Sequence, residues 1–174
     1  DHFIHENNLE SFAFSESDDI KITQKFIEAF HFPKEIKQKL YDFLEIIKEP
    51  LAVRSSSLLE DAQFQPFAGV YQTYMLPNSN PDINVRLDEL LQTIKAVYAS
   101  TYHIKAKDYM KATAYRLEEE KMAVIVQRLV GSEHKGKFYP DFAGVGKSFN
   151  FYPVPPQKSD DGIALVALGL GKTV

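Results

Sequence analysis

The stretch that most constrains the fold of this chain is residues 51–74, LAVRSSSLLEDAQFQPFAGVYQTY. Its apolar start predicts a short buried strand over residues 51–54, and a loop rich in hydroxyls and acids then leads into a second strand. Arg54 ends the first strand, and three serines follow it directly. A guanidinium beside hydroxyl groups suits the binding of an anion, although a structural salt bridge at a strand end explains the same residues equally well.

Composition and charge limit the partners of the chain. Its 174 residues are 44% hydrophobic, which is enough for a real core in one domain of ordinary size or in a two-lobed one. The 20 basic and 24 acidic residues give a net charge of -4, so there is no general electrostatic basis for binding nucleic acid or an anionic membrane. Any phosphate site must therefore be local. The lack of cysteine excludes disulfides and thiolate metal sites.

Targeting signals are missing from the sequence. No apolar run is long enough to span a bilayer and the first residues do not form a signal peptide, so a soluble, cytoplasmic protein is predicted, with oligomer formation left open. The sequence starts without methionine and stops directly after an apolar, strand-like run. We therefore expect a piece of a longer protein.

Hydrophobic periodicity predicts alternating helices and strands. Residues 1–19 are polar with scattered aromatics and are expected to be a loosely packed lead-in, whereas residues 20–174 form the domain. Asp82 is a good N-cap for the longest helix. The predicted helices cover residues 20–32, the segment after Pro33, the segment after Asp82 and residues 106–114, and the predicted strands cover residues 51–54, 67–76, 121–130 and 162–168. The fold class is α+β or mixed α/β.

Two segments resemble part of a phosphate-binding P-loop motif. They are GVGKS at residues 144–148 and GLGKT at residues 169–173. The P-loop needs an earlier glycine so that successive backbone N–H groups wrap the phosphates, and Asp141 and Val166 stand at those positions. The five histidines also lack the paired spacing of metal ligands, so no metal site is predicted from them.

Three residues of the central stretch have competing interpretations. Glu60 and Asp61 are adjacent, so on an extended loop they point to different sides and do not form an acid and base pair by spacing. Either one also fits as an acid that caps nearby loop amides. Gly69 lies in a predicted strand, where a missing side chain lets backbone amides approach a ligand or marks a β-bulge.

Four segments in order carry a family resemblance: VRSSSLLED, FAGVYQTY, VYASTY and AVIVQRLV. Together they resemble the nucleotide-binding domain of the pyruvate phosphate dikinase and phosphoenolpyruvate synthase family, whose motifs typically read VRSSATAED, SFAG and VxVQxMV, with a later GLGE turn. The resemblance covers residues 50–130 well and residues 161–174 less closely. Four ordered motifs make a chance match improbable. The resemblance implies part of an ATP-grasp-like domain, with a mixed sheet flanked by helices.

The resemblance also implies roles for single residues. Arg54 would contact the ATP phosphates as a bidentate donor, and Gly69 with Thr73 would belong to the loop and strand that cover them. The implied adenine pocket is lined by Gln127, Leu129 and Val130, the last two forming a hinge whose backbone bonds the base. The implied loop organisers are Ser55, Ser56, Glu60 and Asp61.

In this family ATP is cleaved to AMP, and a phosphoryl group passes through a histidine on another domain to pyruvate. The resemblance therefore implies an enzyme fragment with ATP and Mg²⁺ as cofactors, with magnesium ligands outside this chain, and with pyruvate as a partner of other domains. The fragment alone is expected to be inactive and to bind ATP weakly or not at all.

The sequence departs from the family pattern at several positions. Ser57 and Leu58 replace the usual Ala-Thr, Lys172 replaces the glutamate of the GLGE turn, and residues 137–152 do not match the family strand and loop. Two alternatives therefore stay open. One is a catalytically inactive regulatory or scaffold domain with the same fold, and the other is a dikinase that phosphorylates a different acceptor, such as a small-molecule hydroxyl or a glucan.

Overall fold

The computed structural model of the chain describes residues 2–57, 60, 69–112 and 120–170. It divides into two units, Asp1–Leu129 and Val130–Val174. The described elements of the first unit are α1 (His2–Glu6), α2 (Glu10–Ala13), α3 (Asp19–Glu28), α4 (Lys34–Ile46), β1 (Leu51–Ser57), β2 (Thr73–Leu76), α5 (Ile83–Ser100), α6 (Ile104–Lys111) and β3 (Met122–Arg128). Those of the second unit are β4 (Ser132–His134), β5 (Lys137–Tyr139), β6 (Phe142–Lys147), a 3₁₀ helix (Ser159–Asp161) and β7 (Ile163–Leu168).

The first unit is built on a three-stranded sheet in the order β2, β1, β3. The predicted α+β class with helices flanking a sheet is confirmed, but every pairing among the described strands is antiparallel rather than mixed. The reason is that β2 and β3 run in the same direction on opposite edges of β1, so they never pair with each other. β1 also continues to Ser57, three residues beyond its predicted end. The strand predicted over residues 67–76 is wrong at residues 69–72, which lie in a turn, a bend and irregular backbone, so β2 begins at Thr73.

Helix α5 covers one face of this sheet. Asp82 caps the helix as predicted, because its carboxylate accepts a hydrogen bond from the Asn84 N–H at 2.8 Å. The buried side chains of α5, among them Leu90 and Val97, pack against Leu51 and Val53 of β1. This packing forms the largest apolar cluster among the described residues, and it fixes which face of the sheet points inward.

A buried arginine joins α5 to the end of α4. Arg86 is only 4% exposed. Its Nη1 donates hydrogen bonds to the carbonyls of Leu44 at 3.1 Å and Ile47 at 3.3 Å, and to Oδ1 of Asn78 at 3.1 Å. The last carbonyls of a helix have no partner within the helix and lie at the negative end of its dipole. Arg86 therefore stabilises the C-terminus of α4 against the sheet layer.

The N-terminal segment differs from its prediction. Residues 1–19 were expected to be a loosely packed lead-in, but residues 2–6 form α1 and residues 10–13 form α2. Ile4, Leu9 and Ala13 are buried in one cluster with Ile22 and Phe26 of α3. The lead-in is therefore part of the folded core of the first unit, and the domain limit proposed near residue 19 stays a prediction.

The second unit consists of two antiparallel hairpins in its described part, β4 with β5 and β6 with β7. The first hairpin turns at Lys135 and Gly136, whose φ angles of 53° and 78° suit a tight two-residue turn. Most of the GVGKS segment lies in β6, where Gly144 to Lys147 pair with β7. This regular strand pairing agrees with the rejection of a P-loop there. The GLGKT segment lies largely outside the described residues.

None of the helices in the described ranges combines the length and the apolar composition that a bilayer crossing requires.

Candidate functional site

Strand alternation divides the side chains of β1 between two environments. Leu51, Val53, Ser55 and Ser57 are buried on the side of α5, whereas Arg54 is exposed. Successive residues of a strand point to opposite faces. The predicted convergence of Arg54 with all three serines is therefore not what the structure shows, since two of the serines lie on the other face of the sheet.

The sheet face opposite α5 carries the polar residues implied to bind a nucleotide. Arg54 lies directly opposite Thr73 on β2 and Ile125 on β3. Gln127 lies opposite Ala52, and hence diagonal to Arg54. Diagonal neighbours in antiparallel pairs are roughly 7–8 Å apart, within reach of long side chains. We call this surface the open face. Its residues are Ala52, which is buried, Ser56, which is half-buried, and the exposed Arg54, Thr73, Met75, Ala123, Ile125 and Gln127.

Arg54 is available for a ligand in this arrangement. Its side chain makes no hydrogen bond or ion pair with any residue that the structure describes, so the structural salt bridge considered from the sequence has no support there. The neighbouring exposed arginine, Arg128, is instead 3.3 Å from the carboxylate of Glu49. An unpaired guanidinium beside a hydroxyl and an amide on an exposed surface can bind a phosphate group.

Glu60 connects the end of β1 to the loop that follows. Its carboxylate accepts hydrogen bonds from the Ser55 hydroxyl at 2.8 Å and from the Ser57 N–H at 3.1 Å. The Glu60 N–H in turn donates to Oγ of Ser57 at 3.3 Å. These contacts are what a loop-organising acid would make. Ser56, on the open face, takes no part in them, and Asp61 lies outside the described residues.

Gly69 lies in a turn before β2, outside the strands. Its φ of +74° belongs to the left-handed region that glycine adopts readily. Its carbonyl accepts a hydrogen bond from Nζ of Lys105 at 2.8 Å. Sequence reasoning missed Lys105, since a lysine on an amphipathic helix usually signals only a solvated face.

The two residues implied to form the adenine hinge fall at the boundary between the units. The Leu129 N–H donates to the Pro50 carbonyl at 2.8 Å, extending the pairing of β1 and β3 by one bond. That amide is therefore already occupied, and the Leu129 carbonyl is the group that remains for a base. Val130 is the first residue of the second unit and is 77% exposed.

A buried carboxyl, Glu120, lies just before β3 on the α5 side of the sheet. It is 7% exposed. Burial raises its pKa above the ordinary value, and the negative charge of Glu60 adds to this, while the Ser57 hydroxyl and the Tyr71 phenol oppose it. Burial also raises the pKa of Tyr71, with the negative charge of Glu120 as the next cause. In the sequence, Glu120 is two residues before Met122, and this spacing indicates the same inward-facing side of the strand. The run of acidic residues that Glu120 ends is, however, typical of a solvated segment.

Metal ligands do not converge within residues 2–57, 60, 69–112 and 120–170, where no three His, Asp or Glu side chains form a possible metal site. The open face suits a nucleotide chemically. The Arg54 guanidinium and the Thr73 hydroxyl can donate hydrogen bonds to phosphate oxygens, and the Gln127 amide can both donate to and accept from a base.

Comparison with known families decides the kind of domain. The family of the pyruvate phosphate dikinase AMP/ATP-binding domain matches residues 1–174. The chain belongs to this family. The resemblance predicted from four ordered motifs is thereby confirmed, and so is the assignment to an ATP-binding and AMP-binding domain of phosphoenolpyruvate synthase-like proteins.

Curated relatives agree with the family. The chain is 31% identical over 112 residues to YvkC of Bacillus subtilis, named an uncharacterized phosphotransferase, covering 62% of this chain and 12% of that protein. It is 30% identical over 124 residues to a probable phosphoenolpyruvate synthase of Archaeoglobus fulgidus, covering 71% and 14%. It is 33% identical over 95 residues to a phosphoenolpyruvate synthase of Aeropyrum pernix, covering 53% and 11%. The chain thus matches only about an eighth of the length of these relatives.

Proposed function

We propose that the open face binds ATP as part of a phosphotransferase related to phosphoenolpyruvate synthase and pyruvate phosphate dikinase. The observation that carries this proposal is that Arg54, Thr73 and Gln127 share one exposed sheet face, with Arg54 unpaired among the described residues. Membership of an AMP/ATP-binding domain family supplies the nucleotide. The relatives named phosphoenolpyruvate synthase supply the reaction class.

Each residue has a distinct part in this proposal. Arg54 holds the phosphates as a fork of N–H donors, because a guanidinium matches two phosphate oxygens at once. Thr73, directly opposite on β2, donates its hydroxyl to the same phosphates. Gln127 and the Leu129 carbonyl lie further along β3, where they bind the base. Glu60 is bonded to Ser55 of β1, and Gly69 is bonded to Lys105 of α6.

The chemistry beyond binding belongs, in this proposal, to other parts of the protein. Bound ATP supplies the phosphoryl group, which passes through a histidine on another domain to pyruvate. Magnesium ligands, in this proposal, also come from other parts of the protein. Within this chain the open face holds and orients the nucleotide, and Arg54 offsets the charge of the phosphates.

Replacing Arg54 in the intact protein tests the proposal. Arg54→Met should lower the rate of ATP cleavage to AMP about a hundredfold to a thousandfold, because deleting one charge-stabilising donor typically costs that much. ATP affinity, measured by calorimetry, should fall as well. The matched control is Arg128→Met, which removes an exposed arginine paired with Glu49 and should leave both quantities close to the wild type. An Arg54→Met protein that folds and retains wild-type affinity and rate would contradict the assignment.

A further inference from the structure

A cavity of about 280 Å³ lies in the first unit on the side of the sheet that faces α5. Its wall includes four aromatic rings, from Phe3 of α1, Phe32 before α4, and Tyr98 and Tyr102 at the end of α5. Phe3 stacks on Tyr98 with ring centroids 5.6 Å apart and meets Phe32 edge to face at 6.2 Å. A cavity of about 150 Å³ is enough for benzene. This one can therefore hold a ring with a short side chain.

Two polar residues in the wall of this cavity have unsatisfied atoms. Thr101 is 2% exposed and Glu120 is 7% exposed. Within the described part of the chain, neither Oγ1 of Thr101 nor Oε1 of Glu120 has a hydrogen-bond partner. A buried polar atom without a partner carries a desolvation cost of about 1–3 kcal/mol, and more when it is charged. Both residues line this partly open cavity, so a ligand there can supply hydrogen-bond donors to their side chains.

The charge of the wall restricts the ligand further. Among the described residues that line the cavity there is no lysine or arginine, and the single histidine, His2, has a side chain that is 75% exposed. Glu120 contributes the one carboxyl. A carboxylate or phosphate ligand would therefore meet a like charge and no counter-charge. An ammonium group would instead pair with Glu120 and would be attracted to the faces of the surrounding aromatic rings.

We propose that this cavity binds a small aromatic amine, whose ring packs among Phe3, Phe32, Tyr98 and Tyr102 and whose ammonium group donates to Glu120 and Thr101. The site is separate from the open face, because Met122, which also lines the cavity, packs in the apolar cluster under α5. The inference does not depend on the proposed function. It assigns a second small-molecule site to the opposite side of the same sheet.

Three ligands with the same phenylethyl group and different end groups test the proposal in the intact protein. They are 2-phenylethylamine, the neutral 2-phenylethanol and the anionic 3-phenylpropanoate, each titrated by calorimetry. The amine should bind with one-to-one stoichiometry at or below about 1 mM, a realistic limit for a ligand of this size. It should bind at least tenfold more tightly than the alcohol, and the anion should not bind. Absence of amine binding, or equal binding of amine and alcohol, would overturn the proposal without reference to any variant.

The methionines give a direct readout of the ligand's position. The chain has three, Met75 on the open face, Met110 on α6 and Met122 at the cavity. With ¹³C-labelled methyl groups, the amine should shift the Met122 signal and leave Met75 unchanged. A shift confined to Met75 would overturn the cavity site. Titration with ATP should instead shift the Met75 signal and leave Met122 unchanged. Failure of the amine site and failure of the proposed function are therefore distinguishable.

Two isosteric variants assign the polar contacts. Glu120→Gln should weaken the amine at least tenfold and remove its advantage over the alcohol, and Thr101→Val should weaken it by a smaller factor. Glu133→Gln, which makes the same change at an exposed position on β4, is the matched control and should leave binding unchanged. If Glu120→Gln folds and binds the amine as the wild type does, the proposed ion pair is wrong.

Discussion

The two faces of the three-stranded sheet come from the same short strands but have opposite surroundings. On one face Leu51 and Val53 are almost completely buried beneath α5. On the other, Arg54 and Met75 are exposed, Met75 by 60%. Because side chains alternate along a strand, each strand contributes to both faces at once. The comparison teaches that stability and ligand binding are separable here, residue by residue, and mutations on the two faces should have different consequences.

The largest effect is expected from the packed face. Leu90→Ala, at the centre of α5 and 0% exposed, should lower the free energy of unfolding by about 3 kcal/mol because it removes buried methyl groups and leaves a cavity. Met75→Ala on the open face should lower it by less than about 1 kcal/mol. Urea unfolding measures both. Similar losses for the two variants would show that the open face is covered in the folded protein.

Two arginines sharpen the comparison. Arg86→Leu should destabilise the protein by about 2 kcal/mol, because three oxygens, among them the carbonyls of Leu44 and Ile47, lose a charged donor in buried or partly buried contacts. Arg54→Leu should change the unfolding free energy by less than about 0.5 kcal/mol, since the Arg54 side chain has no partner among the described residues. Chemical denaturation of both variants decides this. A large loss with Arg54→Leu would mean that this side chain has a structural role.

Neighbouring serines provide a closer pair. Ser55→Ala should cost about 1–2 kcal/mol, because it deletes the hydrogen bond from the Ser55 hydroxyl to the Glu60 carboxylate. Ser56→Ala, one residue along on the open face, should have almost no effect on stability. Thermal unfolding of the two variants makes the comparison under identical conditions. Equal effects would contradict the division of β1 into two faces.

The smallest expected effect depends on pH and tests the buried carboxyl. Burial and the nearby charge of Glu60 raise the pKa of Glu120 above its ordinary 4.5, against the opposing influence of Ser57 and Tyr71. An unfolded chain therefore releases this proton at lower pH than the folded one does. The unfolding free energy of the wild type accordingly loses a contribution as pH rises from about 4.5 through the raised pKa.

Glu120→Gln removes that contribution, so its stability relative to the wild type should improve between pH 4 and pH 7. Denaturant unfolding at the two pH values measures the change. Glu133→Gln is again the control for loss of a carboxyl at an exposed site. A constant difference between Glu120→Gln and wild type across this range would argue against a raised pKa in the folded state.

Sequence reasoning predicted those parts of the fold that local pattern determines. The helix after Asp82 has a capping residue and a regular apolar face, and the strand containing Gln127 is dense in β-branched residues, so both were found with ends close to the observed ones. The N-terminal helices were missed because their few apolar residues, such as Ile4, are buried only through contacts with α3 and α5 that no local pattern records.

The candidate site was predictable in its residue types but not in its geometry. Arg54 was identified from its position after an apolar run, and the register of the strands places it near Thr73 and Gln127 on one face. The end of β1 was placed too early, so Ser55 and Ser56 were assigned to a loop, where alternation does not apply. Their separation onto opposite faces depends on the pairing of β1 with β3, which connects residues far apart in the sequence.

The hydrogen bond from Leu129 to Pro50 completes an uninterrupted ladder between β1 and β3. Arg54 lies four residues along the chain from Pro50, the residue bonded to Leu129, which is roughly 13 Å at the usual rise of a strand. The backbone pairing therefore sets the distance between Arg54 and Leu129 independently of any side chain. A single-residue insertion in β3 would change more than this spacing, because it would move Gln127 to the opposite face from Arg54.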